Sequence, residues 1–558
     1  MDSLASFLQR RINATVFIAG VIVGVWFVGL HNFLPRNVDW LLQGGDSSAY
    51  QVSFEFFRQA PLFQWPMTAT PTYIEGANTV LVSANGVFGI PAKMIGLIFK
   101  GQFQFYGVWI AVTFGLQALL SFRLLGLFIN HQVVQLLATS MFLLAPTFIY
   151  RIGTMSHFEL GSHWIILLAL YLYFNNQRFI FNWSLLLLIS ILINVYISAM
   201  ATLIFFGSLA TEYFLRDKQM NLRKVVTFIG VPLLWLGVGF TFMGYFNYGG
   251  SAGGTGFFRL NVLAYFNPGF SETSSYSQMF DAIAPQNMRQ LFIEEQEMFQ
   301  YLGIGGIILL CGVVWFAVTE DFSGRLRRHA FLALGLAGML TLAFSYRIGF
   351  AGKEFVYWWP EGLKDARQIF RAATRFGWPL YYMLMLAGVV ATYRKLPRKW
   401  APFAIAAICV FNLIDVFPAV RDGSFAAAKH SDAENSSSFD AWEEILSEKS
   451  HLKIYPNFDF QVDSTSIDTA KFESDWLMLV RLALENDLST NFGYVGRPIQ
   501  DFVAAEDASI KENLSIGNID KESVYIIGNK ETWKKFVEVA GADAKAEEID
   551  GFYVITSS

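Results

Sequence analysis

Apolar residues in this chain fall into long runs. They lie at about 13–33, 104–128, 133–149, 160–174, 179–215, 224–246, 302–319, 329–345, 376–393 and 400–419. A membrane-spanning helix needs roughly 20 predominantly apolar residues, and most of these runs approach or reach that length. The run at 179–215 is too long for one helix and carries Asn194-Val195-Tyr196 near its middle, so it reads as two. About eleven transmembrane helices result. The run 80–99 (VLVSANGVFGIPAKMIGLIF) holds Asn85, Gly86, Gly89, Pro91 and Lys93, and reads as a broken or re-entrant segment. Residues 13–33 follow Arg10 and Arg11 as a signal sequence would, but the run is long for one, and it reads as a retained signal anchor.

The polar stretches between the runs set a direction. Short basic loops occur at Arg10-Arg11, at Arg216/Lys218/Arg223/Lys224, at Arg325/Arg327/Arg328 and at Arg394/Lys395/Arg398/Lys399. With eleven spans and a cytoplasmic N-terminus, all four fall on the cytoplasmic side, as positive-inside bias requires. Loops 34–103, 150–159, about 194–198, 247–301 and 346–375 then face outward, as does the tail after residue 423. That tail opens on a polar linker, HSDAENSSSFD. It continues with strand-like HLKIYP and SVYIIG and helix-like SDWLMLVRLALEN and ETWKKFVEVAGA. The expected division is a transmembrane domain over 1–423 and a small extracytoplasmic α/β domain over 424–558.

Composition agrees with this reading. The chain of 558 residues is 54% hydrophobic and only 15% charged, where soluble domains run nearer about a quarter charged. Residues 424–558 hold 25 acidic and 12 basic residues, which leaves 29 basic and 20 acidic in 1–423. An acidic tail on a basic membrane body argues against nucleic-acid binding. The two cysteines, Cys311 and Cys409, both sit in apolar runs, which excludes a disulfide framework or a zinc cluster.

Candidate chemistry concentrates in the outward loops. Asp46 follows the first span and precedes a helix with Tyr50, Phe54 and Phe57 at helical spacing, one that could lie on the membrane interface. It is either the N-cap of that helix or an acid that accepts a proton from a hydroxyl, and the two roles are compatible. Glu55 reads as a solvated position. Loop 150–163 brings Arg151, His157, Glu159 and His163, which are either polar interface anchors or substrate contacts. No metal-ligand motif is present, so no metal site is assigned. A divalent cation held among Asp46, His157, Glu159 and His163 is left as a candidate cofactor. The stretch GGSAGGTGFFRLN is not a phosphate-binding P-loop, since no Lys-Ser/Thr follows it. Its end offers Arg259 and Asn261 to a substrate. Glu294, Glu295 and Glu297 read as a solvated helix start. Arg367, Arg371 and Arg375 recur every four residues and would stack on one helix face. Such a row suits a lipid phosphate or pyrophosphate, or equally a headgroup anchor.

Several segments taken in order resemble the GT-C class of membrane glycosyltransferases, and more closely a bacterial family of that class. They are GGDSSAYQVSFEFFRQAP, YRIGTMSHFELGSHWIILLALYLYF, GFFRLNVLAYF, MFQYLGIG, IFRAATRFGWPLYY and NFGYVGR. The resemblance implies a GT-C-like fold in a bacterial inner membrane. It also implies a polyprenyl-phosphate sugar donor and transfer at the outer face to a hydroxyl on a surface glycan, lipid or protein. Asp46 would be the base, and Arg371 and Arg375, with Arg367, would hold the donor phosphate. His157 and Glu159 would line the pocket, with Arg151, Arg259 and Asn261 near it. Two departures matter. Asn85 and Gly86 stand where relatives carry an acid, and Trp358-Trp359 is followed by Pro360-Glu361 instead of completing a WWDxG motif. The second favours a single-sugar donor over a preassembled oligosaccharide. Two rival readings remain. One is a transporter or flippase for a lipid-linked or anionic substrate, which intramembrane charges and inverted repeats would mark. The other is a non-catalytic membrane scaffold with the tail as its binding module.

Overall fold

The computed structural model describes residues 2–74, 77–83, 85–99, 101–175, 178–216, 221–247, 258–269, 276–279, 296–320, 322–350, 353–359, 370–425, 439–457, 469–495 and 500–558. Two compact units emerge. One comprises residues 1–35, 105–240 and 253–427, and the other 36–104, 241–252 and 428–558.

The first unit is built from apolar helices. Six helices of the chain are long and apolar enough to cross a membrane among the described residues: Gln9–Val28, Tyr106–Gly126, Val195–Arg216, Leu222–Met243, Ala373–Lys395 and Ala401–Asp422. A seventh candidate is the pair Gln132–Leu143 and Pro146–Ile152, bent by 44°. Pro146 explains the bend: it opens the second helix, where its missing N–H costs nothing. Four shorter apolar helices are Trp164–Phe174, Phe179–Ile193, Gly303–Thr319 and Ala330–Phe344. Within the long run at 179–215 the helix does break at Asn194. Its φ of −162° is extended, and its side chain caps the next helix by accepting from Tyr196 N at 2.9 Å.

Close packing in this unit uses small residues. The helix Asp2–Val28 runs against Tyr106–Gly126. A Cβ added to Gly20 would lie 2.7 Å from the Phe114 carbonyl, and one on Gly24 would lie 2.7 Å from Ala111 Cα. Gly20 and Gly24 are one turn apart, the small-xxx-small spacing that lets apolar helices approach backbone to backbone.

The second unit contains a five-stranded sheet: β1 (His451–Tyr455), β2 (Ser489–Thr490), β3 (Ser523–Ile527), β4 (Ala544–Ile549) and β5 (Phe552–Ser557). The strand order is β2-β1-β3-β5-β4, with β1 parallel to β2 and β3, and β5 antiparallel to β3 and β4. Side chains alternate between its faces, as the two-residue period of a strand dictates. Leu452, Ile454, Val524, Ile526, Phe552 and Val554 enter one core, while Tyr525, Ile527 and Ile555 enter the other with Ile510, Leu514 and Phe536.

The first of those cores is not made by the C-terminal region alone. Ala49, Val52 and Phe56, one face of the helix Gly45–Gln59, belong to it, together with Tyr73, Ile74, Ala77 and Leu81. The amphipathic helix expected to lie on the interface is instead buried from Ser47 to Phe57 on all sides. Its other flank is closed by residue 103: Gln51 Nε2 donates to the Phe103 carbonyl at 3.1 Å, and Phe54 meets the Phe103 ring edge-on. Among the described residues of segment 80–99 the α-helix covers Gly86–Gly96, about three turns, after a 3-10 turn over Thr79–Leu81. Asn85, at the position of the missing acid, caps it by accepting from Phe88 N at 3.2 Å.

Candidate functional site

In the first unit three polar side chains, Arg151, Arg375 and His157, converge on one carboxylate, Glu297. The bent helix pair ends at Ile152 and delivers Arg151, which is fully buried. Arg151 Nη1 donates to Glu297 Oε2 at 2.6 Å and Nη2 to the Glu297 carbonyl at 2.5 Å. Arg375 approaches from the other side, with Nη2 3.0 Å from Oε1 and Nε 3.4 Å from Oε2. His157 Nδ1 lies 3.4 Å from Arg151 Nη1 and 3.8 Å from Glu297 Oε1. A short turn sets that position, with His157 N donating to the Arg151 carbonyl at 2.8 Å. Aromatic faces complete the enclosure: Arg151 lies 5.4 Å from the Trp378 ring and Arg375 4.6 Å from Tyr196.

Burial alone would push the Glu297 carboxyl up. The charges of Arg151 and Arg375, then His157, outweigh it and hold the group well below the usual carboxylate range. Glu297 is therefore ionised, and the Arg151–Glu297–Arg375 triad sums to one positive charge. Sequence reasoning took Glu297 for a solvated helix start. The structure buries it, because the segment around it is pinned by neighbours: Gln300 Nε2 donates to the Thr374 carbonyl at 2.6 Å and Leu302 N to the Tyr265 carbonyl at 3.0 Å. Only its adjacency to Glu294 and Glu295 marked it in the sequence, and those two lie outside the described residues.

The arginine row is realised differently from its spacing. Arg367 lies outside the described residues. Arg371 and Arg375 do not share a helix face, because the backbone leaves helical geometry at Ala372, with φ −89° and ψ 66°, and a 3-10 helix begins only after it, over Ala373–Gly377. The amides that a helix would use locally are diverted. Ala372 N donates to the Tyr196 hydroxyl and Thr374 N to the Phe258 carbonyl, both at 3.1 Å. Arg375 thus joins Glu297, while Arg371 sits 5.5 Å over the Phe258 ring. Arg259 is buried and ion-paired to Glu354, which Arg347 also approaches at 3.8 Å. Asn261 caps its own turn by accepting from Leu263 N at 2.9 Å.

Glu159 and His163 are buried in the same loop as His157. His163 is a core residue: its Nδ1 pairs with the Tyr382 hydroxyl at 2.8 Å, and its ring lies 4.3 Å from Trp378. Gln117 Nε2 reaches that same hydroxyl at 3.1 Å. Among the described residues no three His, Cys, Asp or Glu side chains gather to hold a metal ion. Of the candidate cation ligands, His157, Glu159 and His163 of the first unit form no such group. Asp415, the acid of the last span, is a helix cap. It accepts from Ser277 Oγ at 2.6 Å, Met279 N at 3.0 Å, Tyr301 Oη at 3.2 Å and Ile304 N at 3.4 Å. The last of these is an otherwise orphaned amide in the first turn of Gly303–Thr319.

Asp46 lies in the second unit. It is not an N-cap: the helix begins at Gly45 with Gly44 as its cap, and Asp46 falls in the first turn, partly exposed. Gly44 (φ 98°) and Gly45 (φ 66°) adopt the left-handed backbone that glycine tolerates best. The capping work passes to two serines. Ser48 Oγ accepts from Gly44 N at 2.7 Å, and both Ser47 and Ser48 donate to the Leu41 carbonyl. The Asp46 carboxylate lies in the first turn, at a helix N-terminus that favours its charge.

Glu55, about two and a half turns along, is buried, contrary to its expected solvated place. It accepts from Arg58 Nε at 2.8 Å and Nη2 at 2.6 Å, from Gln51 Nε2 at 3.1 Å and from Phe103 N at 3.3 Å. Here burial is the stronger influence and raises the carboxyl above its usual range, with Arg58 partly offsetting it.

Comparison with known proteins yields a family and a set of similar folds. No curated protein matches the chain. Three solved structures of the oligosaccharyltransferase of Archaeoglobus fulgidus are similar. The apo form matches at 9% identity with a TM-score of 0.42, over 88% of this chain and 65% of that one. This chain thus spans less than two thirds of that relative's length. The form tethered to an acceptor peptide containing the NVT sequon matches at 11% identity and a TM-score of 0.39, over 99% of this chain and 75% of that one. The complex with an inhibitory peptide and a dolichol-phosphate matches at 11% identity and a TM-score of 0.35, over 99% and 74%. Residues 17–417 match the model of a domain of unknown function, DUF6311, and residues 441–557 match the DUF6311 C-terminal domain. The chain belongs to the DUF6311 family.

Proposed function

We propose that this protein is a GT-C-type membrane glycosyltransferase that moves a single sugar from a polyprenyl phosphate to a hydroxyl acceptor at the outer face of a bacterial inner membrane. The carrying observation is the buried Arg151–Glu297–Arg375 triad with His157 beside it. Burying two guanidiniums among apolar helices costs several kcal/mol per ion before pairing. Such a net-positive arrangement suits an anionic ligand of phosphate type, since guanidinium forks bind phosphate oxygens bidentately and never lose their proton. The apolar helices supply the surroundings a polyprenyl tail requires. Among the described residues the six long spans, the bent pair and the four shorter apolar helices make eleven apolar segments; if each crosses the membrane, positive-inside bias would put the four basic loops in the cytoplasm.

In this reading Asp46 removes the proton from the acceptor hydroxyl as its oxygen attacks the anomeric carbon. The bond from that carbon to the phosphate oxygen breaks, polyprenyl phosphate leaves, and the configuration inverts in one displacement. Arg375, with Arg371 and Arg367, balances the charge of the departing phosphate. His157, Glu159, Arg151, Arg259 and Asn261 shape the surroundings of the substrate. The assignment is tested by comparative glycan mass spectrometry of cells with and without the gene, and of cells carrying Asp46→Asn. Loss of one hexose, pentose or deoxyhexose in both is expected. An unchanged glycan in the Asp46→Asn cells, with the protein present at normal level, would overturn the base assignment. A flippase would instead move a fluorescent lipid-linked phosphate across proteoliposomes without forming a new glycosidic bond.

A further inference from the structure

The helix that carries Asp46 and the C-terminal α/β region share one hydrophobic core, and this suggests what the C-terminal region is for. Ala49, Val52 and Phe56 present a single face of the Gly45–Gln59 helix. That face packs with Leu479, Val480 and Ala483 of the helix Thr469–Glu485 and with the inward side chains of β1, β3 and β5. Hydrogen bonds to backbone carbonyls and a β-bridge fasten the same seam. Gln59 Nε2 donates to the Leu484 carbonyl at 3.3 Å, Thr490 N to the Thr72 carbonyl at 2.9 Å, and Tyr73 bridges in parallel to Thr490 of β2.

Tyr73 stands where these contacts meet. It is buried, its ring stacks on Phe56 at 4.8 Å, and its hydroxyl donates to the Tyr494 carbonyl at 3.5 Å. Gly493 leaves it room: a Cβ there would lie 2.4 Å from the Tyr73 hydroxyl. The ring therefore touches the Asp46 helix through Phe56 and the C-terminal region through 493–494 at once.

We propose that residues 441–557 are a positioning scaffold for the Asp46 helix, with Tyr73 as the positioning residue that joins the two. The catalytic part of this inference rests on Asp46 acting as the base. Nothing in it requires a separate binding partner for the tail. The opposite face of the sheet, with Ile510, Leu514 and Phe536, has no share in the seam and serves as the internal control.

The test uses the full-length protein in detergent, with hydrogen exchange of the peptide spanning 45–59, and the same variants in cells, with the glycan change read by mass spectrometry. Tyr73→Ala is expected to speed exchange across 45–59 by about tenfold or more. A displacement of the base by an ångström would lower transfer by up to about a hundredfold. Tyr73→Phe keeps the stacked ring and should restore both. Gly493→Ala should reproduce the Tyr73→Ala effect without removing the ring, which keeps the test usable if Tyr73→Ala does not fold. Phe536→Ala should loosen only 500–515 and 530–540 and leave both 45–59 exchange and transfer as in the parent. Unchanged exchange over 45–59 in Tyr73→Ala and Gly493→Ala would overturn the proposal, and so would equal loosening of 45–59 by Phe536→Ala. Retained transfer in Asp46→Asn would remove the catalytic role alone, since the exchange readout judges the scaffold independently.

Discussion

Two regions of this molecule bury a glutamate against arginine, and they tune it in opposite directions. In the membrane-helix unit Glu297 sits between Arg151 and Arg375 with His157 alongside, and its carboxyl is held below the usual range despite burial. In the other unit Glu55 has one arginine, Arg58, and burial prevails, so its carboxyl is raised. The number of cations decides the sign. One guanidinium does not repay the desolvation of a buried carboxylate, while two with a histidine more than repay it. Glu297 is thus locked as an anion and organises two arginines. Glu55 is a structural group whose carboxyl is raised by burial.

The sharpest way to break this comparison is Glu297→Gln. It would leave Arg151 and Arg375 buried without their shared carboxylate, and removing one partner of a buried pair costs about 3–5 kcal/mol. A large drop in thermal unfolding temperature in detergent is expected, together with a weakened grip on Arg375. A drop as small as that of Glu55→Gln would show that the two sites do not differ in the way their arginines imply.

A second effect should be smaller and unrelated to charge. Gly24→Leu would drive a side chain into Ala111 and Phe114 of the neighbouring helix. Overpacking of this kind costs about 1–3 kcal/mol, read as a lowered unfolding midpoint with no change in pH dependence. It separates packing losses in the helical unit from the electrostatic loss at Glu297. Gly45→Ala comes next. With φ at 66° and no atom within 4 Å of the new Cβ, the cost is only backbone strain, about 1 kcal/mol.

Much of the helical architecture was legible, because the length and apolar composition of a run are global quantities that survive local error. The break at Asn194 could be read because a capping residue interrupts an overlong apolar run. The site was less legible for a physical reason. Arg371 and Arg375 keep a four-residue spacing, yet Tyr196 and Phe258 take the amides between them, and no local pattern reports a distant hydroxyl or carbonyl. Glu297 looked solvated because its counter-charges come from residues far away in sequence, Arg151 and Arg375. The helix after Asp46 looked amphipathic because Gln51, Glu55 and Arg58 are polar. Gln51 and Glu55 are buried all the same, and Arg58 is largely covered, since Glu55 accepts from Gln51, from Arg58 and from the backbone of Phe103.

The smallest effect distinguishes the two glutamates by pH. A carboxyl raised on folding binds its proton more tightly in the folded state. Its contribution to stability is fully present below the ordinary carboxylate pKa and is lost as pH rises through the folded value. Glu55→Gln should therefore flatten the fall in stability between the ordinary glutamate range and neutrality. At pH 7 it should change stability by only about 1 kcal/mol, because it trades a desolvated charge for an Arg58 that retains partial access to solvent. Glu297 has the opposite sign: its stabilisation is present above the ordinary range and lost as pH falls through its depressed folded value. Unfolding midpoints of the parent, Glu55→Gln and Glu297→Gln between about pH 4 and pH 8 should then separate into a flattened curve for the first variant and a uniformly lowered one for the second. Parallel curves for all three proteins would mean that Arg58 alone suffices to keep Glu55 ionised, and that one guanidinium can do beside Glu55 what two do at Glu297.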